Sequence, residues 1–332
     1  MARLEGGTRL LAQSRYLVLG LMFAGCVYVT EIPLVNLILP EIAGDLGVGS
    51  THLEMIANAY GISVAVAVIA SGWLGDRFGL RSVILSGIGL FGLGALICSL
   101  SWEFDVLIAG PVIQGIGGGL FSPLIPVALA RLAPDRPGRS LAIWNTVIGL
   151  VIASVPLLSV PILETHGWRA VMGVLGLVAL AACSTLSVNH RRMAGPAPTL
   201  ERDQNFSGDV RFLPFLLIYV ALNYGTMLLF LFWAPIQMDR PDLPSMLTGT
   251  LLSLSWFFFG AIGFLIRRSI DTTRVLHYIL LSPLVLCAGW MVFLWSGDSL
   301  VRMIAAGCMV GAGLGLGNAP STLLILRHAP PG

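Results

Sequence analysis

Ten apolar runs of about twenty residues each constrain this chain more than any other feature. They fall at about 17–39, 53–74, 82–101, 106–130, 140–162, 169–188, 212–234, 246–266, 276–296 and 301–326. A helix of about twenty residues crosses a hydrocarbon core of roughly 30 Å. Backbone in lipid must satisfy its own hydrogen bonds, so the runs predict helices. Only 11% of residues are charged, against roughly a quarter in soluble domains. The expected fold class is therefore all-α, a polytopic membrane protein with about ten transmembrane helices.

The turns carry the topology. There is no lysine, and of the 19 basic residues all but Arg169, Arg240 and Arg302 fall in loops on one side. The excess of positive charge marks the cytoplasmic side. It predicts a multi-pass protein of the cell (inner or plasma) membrane with both termini cytoplasmic. The longest polar stretch, 189–211, divides six spans from four. It predicts an N-terminal six-helix bundle over 1–188, a linker over 189–211 and a second bundle over 212–332.

Internal symmetry supports that division. Aligning residue n with n+196 sets Gly115, Gly117, Gly119 and Leu120 on Gly311, Gly313, Gly315 and Leu316. Further on, Arg131, Ala133 and Pro134 meet Arg327, Ala329 and Pro330. Span 4 thus repeats as span 10. A six-helix unit repeated twice would give twelve spans, so the second bundle is expected to be incomplete and the chain truncated after the tenth helix.

One turn is more specific than its charges. Gly72-Trp73-Leu74-Gly75-Asp76-Arg77-Phe78-Gly79-Leu80-Arg81 lies between spans 2 and 3. Gly72 and Gly79 are expected to let the chain turn, holding Asp76 between Arg77 and Arg81. The pattern resembles the signature loop of the major facilitator superfamily of secondary transporters. That resemblance implies the major facilitator fold, with Gly72, Asp76, Arg77, Gly79 and Arg81 as a gating loop. The matching loop of the second half, Gly263–Arg268, keeps basic charge without an acid at the equivalent place.

Other stretches resemble the drug:proton antiporter branch of that family. Glu31 through Pro40 is similar to its first-helix motif, with Glu31 where an aspartate is usual. Gln114-Gly115-Ile116-Gly117 matches the end of another motif, whose arginine is Pro111 here. In span 5 only Pro156 and Gly149 remain of the antiporter motif. Gly167-Trp168-Arg169 matches the usual start of span 6.

Glu31 is the one carboxylate well inside a span, so it must be protonated, paired or facing water. It is the candidate for proton coupling; a structural acid bonded to backbone freed by Pro33 is the alternative. Asn36, Gln114, Asn145, Asn223, Tyr224, Trp256 and Asn318 are candidate substrate-cavity residues, although interhelical hydrogen bonding serves any single amide as well. Spans 3, 6 and 9 carry no acid or amide inside them, which suits lipid-facing helices.

The resulting expectation is a secondary active transporter of a small organic solute, working by proton-coupled efflux and alternating access. A non-transporting membrane sensor, partner subunit or inactive truncated carrier is the other reading. The five cysteines lie in apolar runs without metal-like spacing. No cofactor, metal site or nucleic-acid partner is expected, and nothing suggests an enzyme: there is no nucleophile with a spaced base and no phosphate-binding loop. The expected partners are a small-molecule substrate, protons and the lipid bilayer, around a monomer.

Overall fold

A computed structural model describes residues 2–188, 210–238, 245–272, 274–297 and 299–328. Most of the 189–211 linker lies outside the described residues. The elements are all helical: α1 (Ala2–Leu46), α2 (Ser50–Phe78), α3 (Leu80–Leu100), α4 (Phe104–Leu107), α5 (Ala109–Phe121), α6 (Leu124–Arg131), α7 (Pro137–Val188), α8 (Leu213–Met238), α9 (Ser245–Ile266), α10 (Val275–Leu294) and α11 (Leu300–His328).

Nine of the described stretches are long and apolar enough to cross a membrane. One of them, Pro137–Ser187, has 51 residues, about twice what a bilayer needs. Its continuity is broken at Gly167, where φ is 76°. That left-handed conformation is open to glycine and strained for other residues, so α7 is two spans joined there. The ten expected spans are all accounted for. The fourth is assembled from α4, α5 and α6 in succession.

Contacts divide the chain into two compact units. One comprises residues 1–132 and 155–198; the other comprises 133–154 and 199–332. The first half of span 5 thus groups with the second unit, where the sequence reading gave it to the first bundle. Small residues explain why. A Cβ on Gly149 would come within 2.6 Å of the Gly260 backbone nitrogen, and one on Gly263 within 2.7 Å of the Ala142 carbonyl. Gly149, read as a remnant of an antiporter motif, is where α7 and α9 meet backbone to backbone.

The glycine rows do the same work in each unit. In the first, a Cβ on Gly115 would lie 2.6 Å from the Tyr60 carbonyl of α2, and one on Gly117 2.6 Å from the Gly87 carbonyl of α3. In the second, Gly311 abuts the Ser255 backbone of α9, and a Cβ on Gly313 would lie 2.8 Å from the Leu286 nitrogen of α10. So α5 packs on α2 and α3 through alternate glycines, and α11 packs on α9 and α10 through their repeats.

The signature turn differs from expectation. Gly72 sits inside α2, which runs on to Phe78. The turn is made by Gly79 alone, with φ at 84°. Asp76 and Arg77 are exposed on the last turn of α2, and Asp76 makes no ion pair among the described residues. Successive helical residues point about 100° apart, and Arg81 lies beyond the turn, so the three charges do not converge. Arg77 instead stacks over Trp73 at 5.2 Å and Phe78 at 5.6 Å. The Arg81 Nε is buried without a partner.

The corresponding turn of the second unit does contain an acid. Asp271 accepts hydrogen bonds from the Gly138 nitrogen at 2.7 Å and the Arg139 nitrogen at 2.9 Å. It caps the start of α7, where free N–H groups and the helix dipole favour negative charge. The stretch Gly263–Arg268 stops short of this acid, which stands one residue before the position that n+196 pairs with Asp76.

At the end of the first unit away from Gly79, Arg169 forms a clasp. It pairs with Asp45 at 2.5 Å, donates to the Ser101 carbonyl at 2.9 Å and lies over the Trp102 and Trp168 rings at 4.2 and 4.4 Å. The Trp168 Nε1 also donates to Asp45. The Arg169 guanidinium beside it holds the Asp45 carboxyl below its usual value of 3.8. A group so lowered contributes stability that is present above its unfolded value and lost as pH falls through the folded one. We therefore expect thermal stability to drop below about pH 4 in wild type, and that drop to shrink in Asp45→Asn, measured by melting in detergent across pH.

Candidate functional site

The site begins with Glu31 on α1. Its neighbours at helical spacing, Leu34, Ile38 and Ile42, are all buried, and Glu31 shares their face at 2% exposure. The Glu31 Oε2 is buried with no partner. A cavity of about 30 Å³ adjoins Glu31, which lines it with Tyr60 from α2, Cys98, Pro111, Gln114 and Trp168 among others. That volume takes a water or two, not an organic solute. Gln114 Nε2 is also buried without a partner. Two of the four such atoms among the described side chains thus border one cavity.

Pro111 lines this cavity too. The residue that replaces the family's arginine therefore faces the same space as Glu31, and no guanidinium shares it.

The internal repeat provides a control for what the fold itself requires here. The alignment that sets Gly115 on Gly311 sets Glu31 on Met227 and Gln114 on Val310. Contacts agree. A Cβ on Gly94 of α3 would meet the Gln114 Cβ at 2.7 Å, and one on Gly289 of α10 would meet the Val310 Cγ2 at 2.9 Å. One helical turn past those glycines stand Cys98 and Phe293. Met227, Phe293 and Val310 belong to one continuous apolar core in the second unit. Glu31, Cys98 and Gln114 border the cavity in the first. The neighbourhood of the α3–α5 contact is polar and partly open in the first unit, and that of the α10–α11 contact is filled with hydrocarbon in the second.

The remaining candidates separate into smaller groups. The Asn318 Nδ2 donates to the Asn145 Oδ1 at 3.3 Å, bringing α11 to α7 within the second unit. Asn145 is buried and its own Nδ2 has no partner. Asn223 is engaged on both sides: it donates to the Tyr219 carbonyl and accepts from Ser282, each at 2.8 Å. It is interhelical glue between α8 and α10. Trp256 packs edge-on to Phe259 and against the apolar core. Tyr224 is 38% exposed. Asn36 lies in α1 with its side chain outside the described residues.

Sequence reasoning missed Tyr28 and Tyr60, which bracket Glu31. Both looked like ordinary tyrosines in apolar helices. Tyr28, three residues before Glu31, was the available signal, because that spacing puts both on one helix face.

Two units of membrane-spanning helices related by an internal repeat, with an ionisable side chain buried in one, define a polytopic membrane protein. The family description "Major Facilitator Superfamily" matches residues 21–332, and the chain belongs to that family. It is 34% identical over 149 residues to an uncharacterised MFS-type transporter, Rv1250, of Mycobacterium tuberculosis, covering 43% of this chain and 26% of that protein. It is 30% identical over 164 residues to the putative multidrug resistance protein MdtD of Salmonella paratyphi B, covering 48% of this chain and 35% of that one. The matched stretches thus span about a third or less of these relatives. Among solved structures, the proton:xylose symporter XylE aligns over 95% of this chain and 87% of its own, with a TM-score of 0.64 and 14% identity. A bacterial homologue of the peptide transporters PepT1 and PepT2 aligns equally widely, with a TM-score of 0.64 and 13% identity. At such identities the likeness speaks to the fold alone.

Proposed function

We propose that this protein is a secondary transporter that exports a small organic solute in exchange for protons, with Glu31 as the proton-carrying group. The observation that carries this reading is the contrast between repeats. An ionised carboxyl at the centre of a span costs about 2.5–3.5 kcal/mol or more, and methionine holds the aligned position in the second unit. A costly group that the fold does not need is accounted for by a proton that must bind and leave.

The relatives named as multidrug resistance proteins favour efflux of amphipathic solutes. Arginine placement favours cytoplasmic termini. The proposed working mode is alternating access by two helical bundles, with 189–211 as their linker. The Asn145–Asn318 pair is the best-supported polar contact for a solute, since one buried amide N–H is left free there. Asp76 and Arg77, exposed beside the Gly79 turn, are available to a partner helix in another conformation, as a gate requires.

The test is flux. Purified protein in vesicles with an imposed pH gradient is expected to drive ethidium against its concentration gradient, and Glu31→Gln to stop it while leaving insertion intact. Gradient-driven transport at the wild-type rate in Glu31→Gln would defeat the coupling role. Absence of movement by any solute in a broad panel would favour a sensor or partner subunit.

A further inference from the structure

The cavity beside Glu31 extends to one side only. Its floor is Glu31, Tyr60, Cys98 and Gln114. On α1 the other lining residues, from Val35 to Ile42, all follow Glu31 toward Asp45. On α2, Ile56 lies about one turn before Tyr60. In the fourth span, Leu107 and Pro111 come before Gln114. The Arg169 clasp sits where α1 ends and where α2 and the fourth span begin. The space therefore runs from Glu31 toward that clasp.

Toward Gly79, packed rings close the unit. Tyr28, three residues before Glu31, meets Phe91 and Phe121 at centroid distances of 6.1 and 5.7 Å, and those two rings meet each other at 5.9 Å. Both phenylalanines are fully buried. A Cβ on Gly118 would lie 2.8 Å from the Tyr28 Cε2, so α1 and α5 touch there.

Toward the clasp, the closing residue is Trp168. It lines the cavity and is buried. Its Nε1 donates at 3.3 Å to the Asp45 Oδ2, and the Asp45 side chain is 43% exposed. One residue thus joins the cavity wall to a carboxylate that solvent reaches. Arg169 bonds the same oxygen and lies over the Trp168 ring, so the clasp fixes the indole. Gly167 breaks α7 directly before it, and a Cβ there would meet nothing within 4 Å.

Resting on the coupling role proposed above, we infer that Trp168, held by Asp45 and Arg169, is the gate through which Glu31 exchanges protons with the Arg169 side of the membrane. While Asp45 holds the indole N–H, the cavity is shut. When that bond opens, the ring moves aside at Gly167 and water reaches Glu31. Hydronium then gives one proton to the Glu31 carboxylate and becomes water. One O–H bond breaks and one forms, and Trp168, Asp45 and Arg169 neither gain nor lose a proton. Among the lining residues Glu31 is the one carboxylate, with Tyr60 and Cys98 the other groups able to ionise.

Cys98, on the cavity floor, reports access without relying on Glu31. Full-length protein is inserted in one orientation in vesicles, and silver ion, a small thiol reagent that does not cross lipid, is added to one face at a time. The Cys98 thiol left unreacted is counted by peptide mass spectrometry after alkylation in denaturant. Losing a hydrogen bond to a charged group favours opening about tenfold or more, so Trp168→Phe and Asp45→Asn are each expected to speed the reaction from the Arg169 face by about that factor. Reaction from the Gly79 face is expected to stay at the wild-type rate. Wild-type rates from the Arg169 face in both variants overturn the gate, as does an equal rise from both faces, the mark of general loosening. In wild type itself, Cys98 is expected to react faster from the Arg169 face, and the reverse order also overturns it. The Glu31 infrared carboxyl band, assigned by its loss in Glu31→Gln, should likewise answer a pH jump at the Arg169 face sooner than one at the Gly79 face; the reverse order, or no response, overturns the route. If Glu31→Gln transports ethidium at the wild-type rate, the coupling role fails, while the Cys98 rates still decide whether Trp168 gates the cavity.

Discussion

Replacing Glu31 with methionine is expected to abolish pH-gradient-driven transport and to leave the protein folded, more heat-stable than wild type by ~1–3 kcal/mol. The expectation rests on Met227. That residue is aligned with Glu31 at n+196 and lies at 1% exposure in one core with Phe230, Phe293 and Val310. The side chain is unbranched and adapts to irregular gaps, so it should fill the space beside Cys98 and Gln114. Removing the carboxyl also removes an oxygen left without a hydrogen bond. Loss of coupling with a gain in melting temperature is an unusual signature, because most damaging substitutions lower both.

The reciprocal change makes the test sharper. Met227→Glu places a carboxyl in a core of hydrocarbon side chains. It should destabilise by roughly 3 kcal/mol or more and confer no new coupling. If Glu31→Met instead unfolds the protein, or if Met227→Glu is tolerated as easily as Glu31 is, the carboxyl is structural. Passive exchange of ethidium without a gradient should survive in Glu31→Met, which separates lost coupling from lost transport.

Much of this was legible in the residues. Ten spans follow from run length, and the six-helix repeat from the glycines of spans 4 and 10, because hydropathy and close packing are local properties written in consecutive residues. Glu31 stood out because a carboxylate inside an apolar run has few explanations. What could not be read was which polar groups meet. Asn145 and Asn318 are 173 residues apart, and nothing in either neighbourhood announces the other. Asn223 resembled them by type but bonds its own helix at Tyr219 and α10 at Ser282. Tyr60 lines the Glu31 cavity from α2, which the α5 glycines allow to pack close. Gly72 misled because a glycine near a turn need not form it, and Asp271 was missed because a helix cap is defined by the helix it meets.

Valine at Gly117 and, separately, at Gly313 is expected to cost about 3 kcal/mol each, at the upper end of overpacking penalties, and to reduce the folded yield sharply. Both glycines sit where helices touch through backbone. A Cβ on Gly117 would fall 2.6 Å from the Gly87 carbonyl, and one on Gly313 2.7 Å from the Leu286 Cγ and 2.8 Å from its nitrogen. A side chain can rotate away from such a contact, but a carbonyl or amide in a helix moves only with its helix. Valine at Gly61 is the control, since a Cβ there would meet nothing within 4 Å; it should cost less than about 1 kcal/mol, the range of helix propensity. Melting and size-exclusion profiles in detergent measure all three. Matching losses at Gly117 and Gly313 would show that the two rows are equivalent in energy as well as in position. A large loss at one with a tolerant partner would mean that the alignment placing Glu31 on Met227 is not the one the packing obeys, and the control on which the coupling role depends would go with it.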